Sequence, residues 1–183
     1  MDNPDSRPGV RAVLFDRDGT LVHDVPYNGD PEQVHLVDGA VAALERVRAA
    51  GVLTGVVTNQ SGVGRGLITA EQADAVTAEV VRRLGGVDVV RTCPHAPGDG
   101  CGCRKPAPGL VLAAAAALGL CPGDVAVVGD SSTDAGAARA AGARSVLVPG
   151  PRTPGAEPDG ADHAHAPDLA AALDLLLAPR AAR

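Results

Sequence analysis

Short apolar runs alternate along the chain with segments whose apolar residues recur at helical spacing. The first run, Val10–Phe15, has the length of a buried strand and leads into the glycine turn Asp16–Thr20. Further runs predict strands over 52–57, 87–90, 125–128 and 145–148. Helical spacing predicts helices over 38–50, 69–84, 109–118, 133–141 and 168–177. Strands that alternate with helices are typical of an α/β protein with a mostly parallel sheet covered on both faces.

Three segments lack any regular pattern. Residues 21–37 contain prolines and an Asn-Gly pair and are predicted to be a loop. Residues 93–108 combine glycine, proline, cysteine and histidine, and residues 149–158 are predicted to form an extended connection. Because no repeat and no linker divides the chain, we expect one domain over residues 1–183, with an ordered core at about 10–178.

The composition excludes several classes of function. Apolar residues make up 45% of the chain, which is enough for a core, but Phe15 and Tyr27 are the only aromatic residues. The formal net charge of −6 and the lack of stacking platforms argue against nucleic-acid binding. No apolar run approaches the ~20 residues of a membrane span, and residues 1–8 show no signal-peptide pattern. We expect a soluble, cytoplasmic monomer.

Polar residues follow the predicted strands at the edge where open α/β sheets bind ligands. They are Asp16, Asp18, Thr58, Asn59, Asp130 and Asp134. Several carboxylates at one edge would repel each other without a cation, and oxygen ligands suit Mg²⁺. A single carboxylate after a strand is often only a helix N-cap, so the combination carries the prediction of a magnesium site.

Four potential metal ligands lie close together in the loop at 93–108. They are Cys93, His95, Cys101 and Cys103. Three thiolates and one imidazole match a closed tetrahedral Zn²⁺ site, which would be structural because no coordination position is left for a substrate. A disulfide is disfavoured in a cytosolic chain, and scattered loop thiols are the alternative. Because Arg104 and Lys105 follow Cys103 directly, a fixed loop would also fix two cations.

The ordered motifs resemble those of haloacid dehalogenase-type (HAD) phosphatases. Asp16–Leu21 resembles the DxDGT signature, Thr58 the second motif, Lys105 the third, and Gly129-Asp130 with Asp134 the fourth. The resemblance implies a three-layer, Rossmann-like (HAD-like) fold and Mg²⁺-dependent phosphatase activity.

The same resemblance implies a role for each catalytic residue. Asp16 would be the nucleophile that forms an aspartyl-phosphate, and Asp18 would be the general acid and base. Mg²⁺ would lie between Asp16, the backbone carbonyl of Asp18, and Asp130. Thr58 and Lys105 would hold the phosphoryl oxygens.

Longer blocks narrow the resemblance to a zinc-bearing branch without a cap domain. FDRDGTL, TNQSGVGRG, CPH…CxCRKP and VGDSSTD resemble blocks of heptose-bisphosphate and histidinol-phosphate phosphatases. Residues 21–37 are also too few for a cap domain. The substrate contacts that the resemblance implies are Asp24, Tyr27, Asn59, Gln60, Ser61, Arg104 and Ser131. Ser131 stands where heptose enzymes commonly carry a lysine, which bears on substrate preference.

The implied substrate is a small phosphorylated sugar, with D-glycero-D-manno-heptose 1,7-bisphosphate, cleaved at C7, favoured over histidinol phosphate. A zinc-stabilised binding protein of the same fold without catalysis is the alternative from another class, and the intact motifs argue against it. A phosphotransferase or mutase is a third possibility. It is disfavoured because no cap would exclude water from the aspartyl-phosphate.

Overall fold

Six parallel strands form the central sheet of the protein in the computed structural model, which describes residues 9–150 and 163–178. The strands are β1 (Ala12–Phe15), β2 (Leu53–Asn59), β3 (Val89–Cys93), β4 (Val125–Gly129), β5 (Arg144–Leu147) and β6 (Ala164–His165). The helices are α1 (Ala40–Ala49), α2 (Ser61–Gly64), α3 (Ala70–Arg83), α4 (Gly109–Ala117), α5 (Ser132–Ala141) and α6 (Leu169–Leu177). The strands lie in the order β3-β2-β1-β4-β5-β6, and all neighbouring pairs are parallel.

Helices cover both faces of this sheet, as the alternation of side chains along β1 shows. Val13 and Phe15 belong to a core formed with α1, α3 and α6, whereas Ala12 and Leu14 pack with α4 and α5. All four side chains are fully buried, and a strand buried on both faces explains the continuous apolar run in the sequence. The predicted three-layer α/β fold is confirmed.

The register of the sheet brings the polar residues to one edge. Phe15 pairs with Val56 on one side and with Val128 on the other. Asp16 therefore leaves β1 next to the ends of β2 and β4, and its backbone N–H donates to the carbonyl of Val128 at 2.9 Å. Because β1 lies between strands whose connections run in opposite directions, this edge is the topological switch point at which such sheets bind ligands.

The chain between β1 and α1 carries only a short 3₁₀ helix, Pro31–Gln33, capped by the Asp30 side chain. This segment forms no separate domain, which agrees with the expected absence of a cap. In the described ranges, no helix combines the length and the apolar character that a membrane crossing needs.

The predicted strands and helices are present, with boundaries that differ by up to a few residues. The strand predicted over 87–90 lies further along the chain, because Asp88 instead binds the backbone N–H and the hydroxyl of Thr54. The sequence did not predict α2, which is too short to show a helical period, or β6, which has two residues, or the two short 3₁₀ helices at Pro31–Gln33 and Pro122–Asp124. Most of the extended connection predicted over 149–158 lies outside the described residues.

Candidate active site

A buried lysine joins two carboxylates at the centre of the strand-end edge. The Nζ atom of Lys105 donates to Oδ1 of Asp16 at 2.7 Å and to Oδ1 of Asp134 at 2.5 Å. It also donates to the carbonyl of Val57 at 3.1 Å, so all three of its protons have acceptors. The side chain of Lys105 is 3% exposed and that of Asp134 is fully buried. The position of the Asp16 carboxylate is therefore fixed from within the core.

Burial dominates the electrostatics of this cluster. It raises the pKa of the Asp16 carboxyl to about 7, with Lys105 opposing and Asp134 adding to the shift. Burial likewise raises the pKa of Asp130 to about 6, and the charge of Asp134 contributes. Burial alone would lower the pKa of Lys105, but Asp16 and Asp134 hold it above its usual range. One ammonium thus faces three carboxylates, an excess of negative charge that favours a further cation.

The carboxylates also have the arrangement that a magnesium ion needs. Oxygens of Asp16, Asp130 and Asp134 lie within 4.8 Å of one another. Those of Asp134 already accept hydrogen bonds: Oδ1 from Lys105, and Oδ2 from the backbone N–H (3.2 Å) and hydroxyl (2.6 Å) of Ser131. Asp16 and Asp130 are therefore the candidate metal ligands, whereas Asp134 holds Lys105 and Ser131 in place.

Two glycines lie directly against the Asp130 carboxylate. A Cβ atom at Gly19 or at Gly150 would collide with the carboxylate of Asp130. Gly19 also has a φ of +86°, which a side chain would make unfavourable. The glycines thus provide room for a carboxylate-lined site at this edge, and hard oxygen donors there fit Mg²⁺.

Asp18 is held by three hydrogen-bond donors beside this cluster. Nε and Nη2 of Arg17 donate to its two carboxylate oxygens, both at 3.0 Å, and Nε2 of Gln60 donates to Oδ2 at 2.7 Å. Arg17 is only 1% exposed, and its Nη1 atom donates to the hydroxyl of Thr77 on α3 at 2.8 Å. The sequence pattern did not predict a role for Arg17 or Thr77. One feature of the sequence could have indicated the role of Arg17: it is a charged residue between Asp16 and Asp18, close behind a strand that is buried on both faces.

The residues after β2 form a second part of the site. The Oγ1 atom of buried Thr58 accepts a hydrogen bond from Gln60 at 2.8 Å. Asn59 faces the other way: its Nδ2 donates to the Lys105 carbonyl at 3.2 Å, and its Oδ1 accepts from the Lys105 N–H at 3.1 Å. Both polar atoms of the Asn59 side chain are thus engaged by the backbone of Lys105.

A cavity of about 360 Å³ opens above Asp18 and Asp130. The predicted substrate-binding residues that line it are Asp24, Tyr27, Asn59, Gln60, Ser61 and Ser131. Arg104 does not line this cavity, and its Nη1 atom donates to the carbonyl of His95 at 3.4 Å. The volume is within the range of sites for small metabolites.

The Cys/His loop gathers its four predicted ligands in one cluster. The Sγ atom of Cys103 lies 3.1 Å from that of Cys93 and 3.6 Å from that of Cys101, and the Cys93–Cys101 separation is 3.7 Å. Nδ1 of His95 is 3.2 Å from Cys103 and 3.5 Å from Cys93. All of these separations are longer than a disulfide bond of about 2.05 Å, and they lie near the roughly 3.3–3.8 Å that separates the ligands of a tetrahedral zinc ion. The donor set therefore fits Zn²⁺.

This loop is tied to the cavity wall by its backbone. The N–H of Gln60 donates to the Cys93 carbonyl at 2.7 Å, and the N–H of Gly64 to the Pro94 carbonyl at 2.8 Å. A Cβ atom at Gly64 would lie 2.6 Å from the backbone nitrogen of Ala96, so only glycine permits this approach. The short helix α2 is consequently held between the Cys/His loop and the cavity.

Comparisons with known proteins agree with this geometry. A family profile described as HAD-hydrolase-like matches residues 102–175. The chain is 39% identical over 144 residues to D-glycero-beta-D-manno-heptose-1,7-bisphosphate 7-phosphatase of Pseudomonas putida, covering 76% of this chain and 82% of that protein. The protein of the same name from Rhodopseudomonas palustris is 34% identical over 165 residues, with 84% and 89% coverage.

A solved structure supports the same relationship. It is the crystal structure of D,D-heptose 1,7-bisphosphate phosphatase from B. bronchiseptica, complexed with magnesium and phosphate. The match has a TM-score of 0.80 and 35% sequence identity, and it covers 92% of this chain and 98% of that chain.

Proposed function

The chain belongs to the HAD-like phosphatases, and on that basis we propose that it hydrolyses the C7 phosphate of D-glycero-D-manno-heptose 1,7-bisphosphate. One observation carries the proposal: Asp16, fixed by Lys105 at the end of β1, lies directly beside Asp18 and Asp130, which line a cavity sized for a small metabolite. The names of the relatives support the choice of sugar.

Asp16, Asp130 and the backbone carbonyl of Asp18 would hold Mg²⁺. When bound, the ion would neutralise charge on the phosphoryl oxygens and on the two carboxylates. The close approach of Asp16 and Asp130, their raised pKa values and the adjacent glycines support this assignment.

In the first step, a carboxylate oxygen of Asp16 attacks phosphorus and forms an aspartyl-phosphate. The bond from phosphorus to the C7 oxygen breaks, and that oxygen takes a proton from Asp18. Lys105 holds Asp16 in position, and its charge stabilises the negative charge that develops on the phosphoryl group. Thr58 would donate its hydroxyl proton to a phosphoryl oxygen.

In the second step, Asp18 accepts a proton from a water molecule, whose oxygen attacks phosphorus. The bond to Asp16 breaks, inorganic phosphate leaves, and the Asp16 carboxylate is restored. The three donors from Arg17 and Gln60 match Asp18 as a carboxylate, the form in which it accepts this proton. In the described part of the chain no cap domain covers the cavity, so water can reach the site.

We also propose that Cys93, His95, Cys101 and Cys103 bind one structural Zn²⁺. The short separations of the four side chains support this zinc site. Without a metal ion, burial and the neighbouring Cys103 raise the pKa of the Cys93 thiol to about 12 and so disfavour its thiolate. A bound cation would instead favour the thiolates. Unpaired cysteines suit a reducing compartment, so we place the protein in the cytoplasm.

We further propose that residues 1–183 act as one domain and as a monomer. The described part of a single chain provides the nucleophile, the acid, the metal ligands and the cavity wall. Asp24, Tyr27, Gln60, Ser61 and Ser131 are the proposed contacts to the sugar, since all line the cavity.

Phosphate release from both anomers of heptose 1,7-bisphosphate and from histidinol phosphate, with and without Mg²⁺, tests the proposal. We expect Mg²⁺-dependent release with a higher kcat/KM for the heptose. Preference for histidinol phosphate would reject the sugar, and binding without release would indicate a binding protein. The Asp16→Asn variant should bind the heptose but release no phosphate.

A further inference from the structure

An arginine outside the catalytic cluster lies against the only aromatic side chain of the cavity wall. Cζ of Arg65 is 5.9 Å from the centroid of the Tyr27 ring, within the range of a cation–π contact. Arg65 follows α2 directly, and α2 contributes Ser61 and Gly62 to the wall. The guanidinium group is thus placed beside the cavity.

No carboxylate among the described residues pairs with the Arg65 guanidinium. Within residues 9–150 and 163–178 it makes no side-chain hydrogen bond and no ion pair, and the residue is exposed. Arg17 and Arg83, by contrast, are bound to carboxylates. The Tyr27 ring orients Arg65 without using its N–H donors, which stay available to a ligand.

Tyr27 occupies this place in an unfavourable backbone conformation. Its φ of +53° lies in the left-handed region, which is rare for an aromatic residue, yet its side chain remains 44% exposed. A Cβ atom at Gly62 would be 3.0 Å from Cδ1 of Tyr27, so the ring lies against the α2 backbone. Because the Tyr27 ring is exposed, packing in the core does not explain its unfavourable backbone conformation. A role in the wall of a ligand site does explain it.

The charged residues that line the cavity do not suit a second anion. Asp18, Asp24 and Asp130 are acidic, and Arg17 is buried and bound to Asp18. Arg104 already donates to the His95 carbonyl through its Nη1 atom. A substrate with a second negative group would therefore find its counterion at Arg65.

We propose that Arg65, oriented by Tyr27, binds the second phosphate of a bisphosphorylated substrate and determines the preference for bisphosphates over monophosphates. This inference rests on the proposed function, because it assumes a substrate whose first phosphate reacts at Asp16. A guanidinium can donate two parallel hydrogen bonds to a phosphate, which a lysine cannot.

The test compares heptose 1,7-bisphosphate with p-nitrophenyl phosphate, which has no second anionic group. For Arg65→Ala, we expect KM for the bisphosphate to rise about tenfold or more with kcat nearly unchanged, and p-nitrophenyl phosphate kinetics to stay the same. Arg65→Lys should lie in between. Arg139→Ala, which removes an exposed arginine near the end of α5, is the matched control and should change nothing. Equal effects on both substrates, or none on the bisphosphate, would overturn the inference.

Binding measured by calorimetry in the Asp16→Asn background separates this inference from the proposed function. The bisphosphate should bind about tenfold more weakly when Arg65→Ala is added, whether or not the parent protein hydrolyses it. A protein that fails to hydrolyse the heptose but shows this difference would refute only the proposed function. Equal affinities with and without Arg65 would refute the role of Arg65.

Discussion

The side-chain amide of Asn59 and the backbone of Lys105 exchange two hydrogen bonds, at 3.1 and 3.2 Å, across the gap between β2 and the Cys/His loop. Lys105 extends from this fixed backbone into the core, where it reaches Asp16. A loop residue is thereby positioned as firmly as a strand residue. The resemblance to known phosphatases implied a substrate contact for Asn59, which lines the cavity, and its hydrogen bonds point to a second role in positioning Lys105.

Replacing Asn59 distinguishes these two roles. Asn59→Ala should lower kcat about tenfold or more with little change in KM, because Lys105 would lose its fixed position. The free energy of unfolding should fall by about 1–3 kcal/mol, since two backbone groups lose their partners. Steady-state kinetics and denaturant unfolding measure both effects. A raised KM with an unchanged kcat would show that Asn59 contacts the substrate instead.

The chain of contacts from α3 to Asp18 predicts an effect of Thr77 on proton transfer. Thr77→Val removes the hydroxyl that accepts a hydrogen bond from Arg17, and Arg17 holds both oxygens of Asp18. We expect kcat to fall several-fold for an alkyl phosphate and much less for p-nitrophenyl phosphate, whose leaving group needs no proton. Thr77→Ser keeps the hydroxyl and should restore the wild-type ratio. Equal losses on the two substrates would indicate a structural role for Thr77 alone.

Magnesium affinity should depend on pH because protons compete for its ligands. In the metal-free protein, Asp16 has a pKa of about 7 and Asp130 a pKa of about 6, both raised by burial. Ionised carboxylates bind Mg²⁺, so affinity should increase as the pH rises from about 5.5 to about 7.5 and then level off. Calorimetry in buffers of different ionisation enthalpy should detect proton release on binding near pH 6. An affinity that is constant across this range would contradict the assignment of these ligands.

The Cys/His cluster should contain about one equivalent of zinc that resists mild chelation. Cys103→Ser should lose this metal and unfold at a lower temperature, because Cys103 is close to all three other ligands. Cys121→Ser is the control, since Cys121 is exposed and lies outside the cluster. Elemental analysis and thermal unfolding give the two readouts. Full zinc content in Cys103→Ser would disprove the ligand set.

Gly19 offers a test of the space around Asp130. Gly19→Ala would place a methyl group against the Asp130 carboxylate and force a positive φ on alanine. We expect Mg²⁺ affinity to fall about tenfold or more, together with a loss of about 1 kcal/mol in the free energy of unfolding. Gly39→Ala also has a positive φ, but a Cβ atom there meets no other group within 4 Å. That variant should show the loss of stability without the loss of metal affinity.

The alternation of strands and helices along the chain and the polar residues at the strand ends could be predicted because they depend on local pattern and on the parallel arrangement of the sheet. Asp16, Thr58 and Asp130 meet for this reason alone. The partners of Asn59 and Arg17 could not be predicted, since each lies at least 46 residues away along the chain, at Lys105 and Thr77. Contacts of this kind arise from packing between elements, which the spacing of one segment does not encode.

Tyr27 is the single tyrosine of a chain that has no tryptophan. The intrinsic tyrosine fluorescence of the protein therefore comes from this one ring, which lies on the wall of the active-site cavity and contacts the Arg65 guanidinium. Ligand binding in the cavity or displacement of Arg65 should change the Tyr27 fluorescence, so ligand binding can be measured without an attached dye. The scarcity of aromatic side chains, which limits core burial, thus makes the remaining ring an optical sensor of the site.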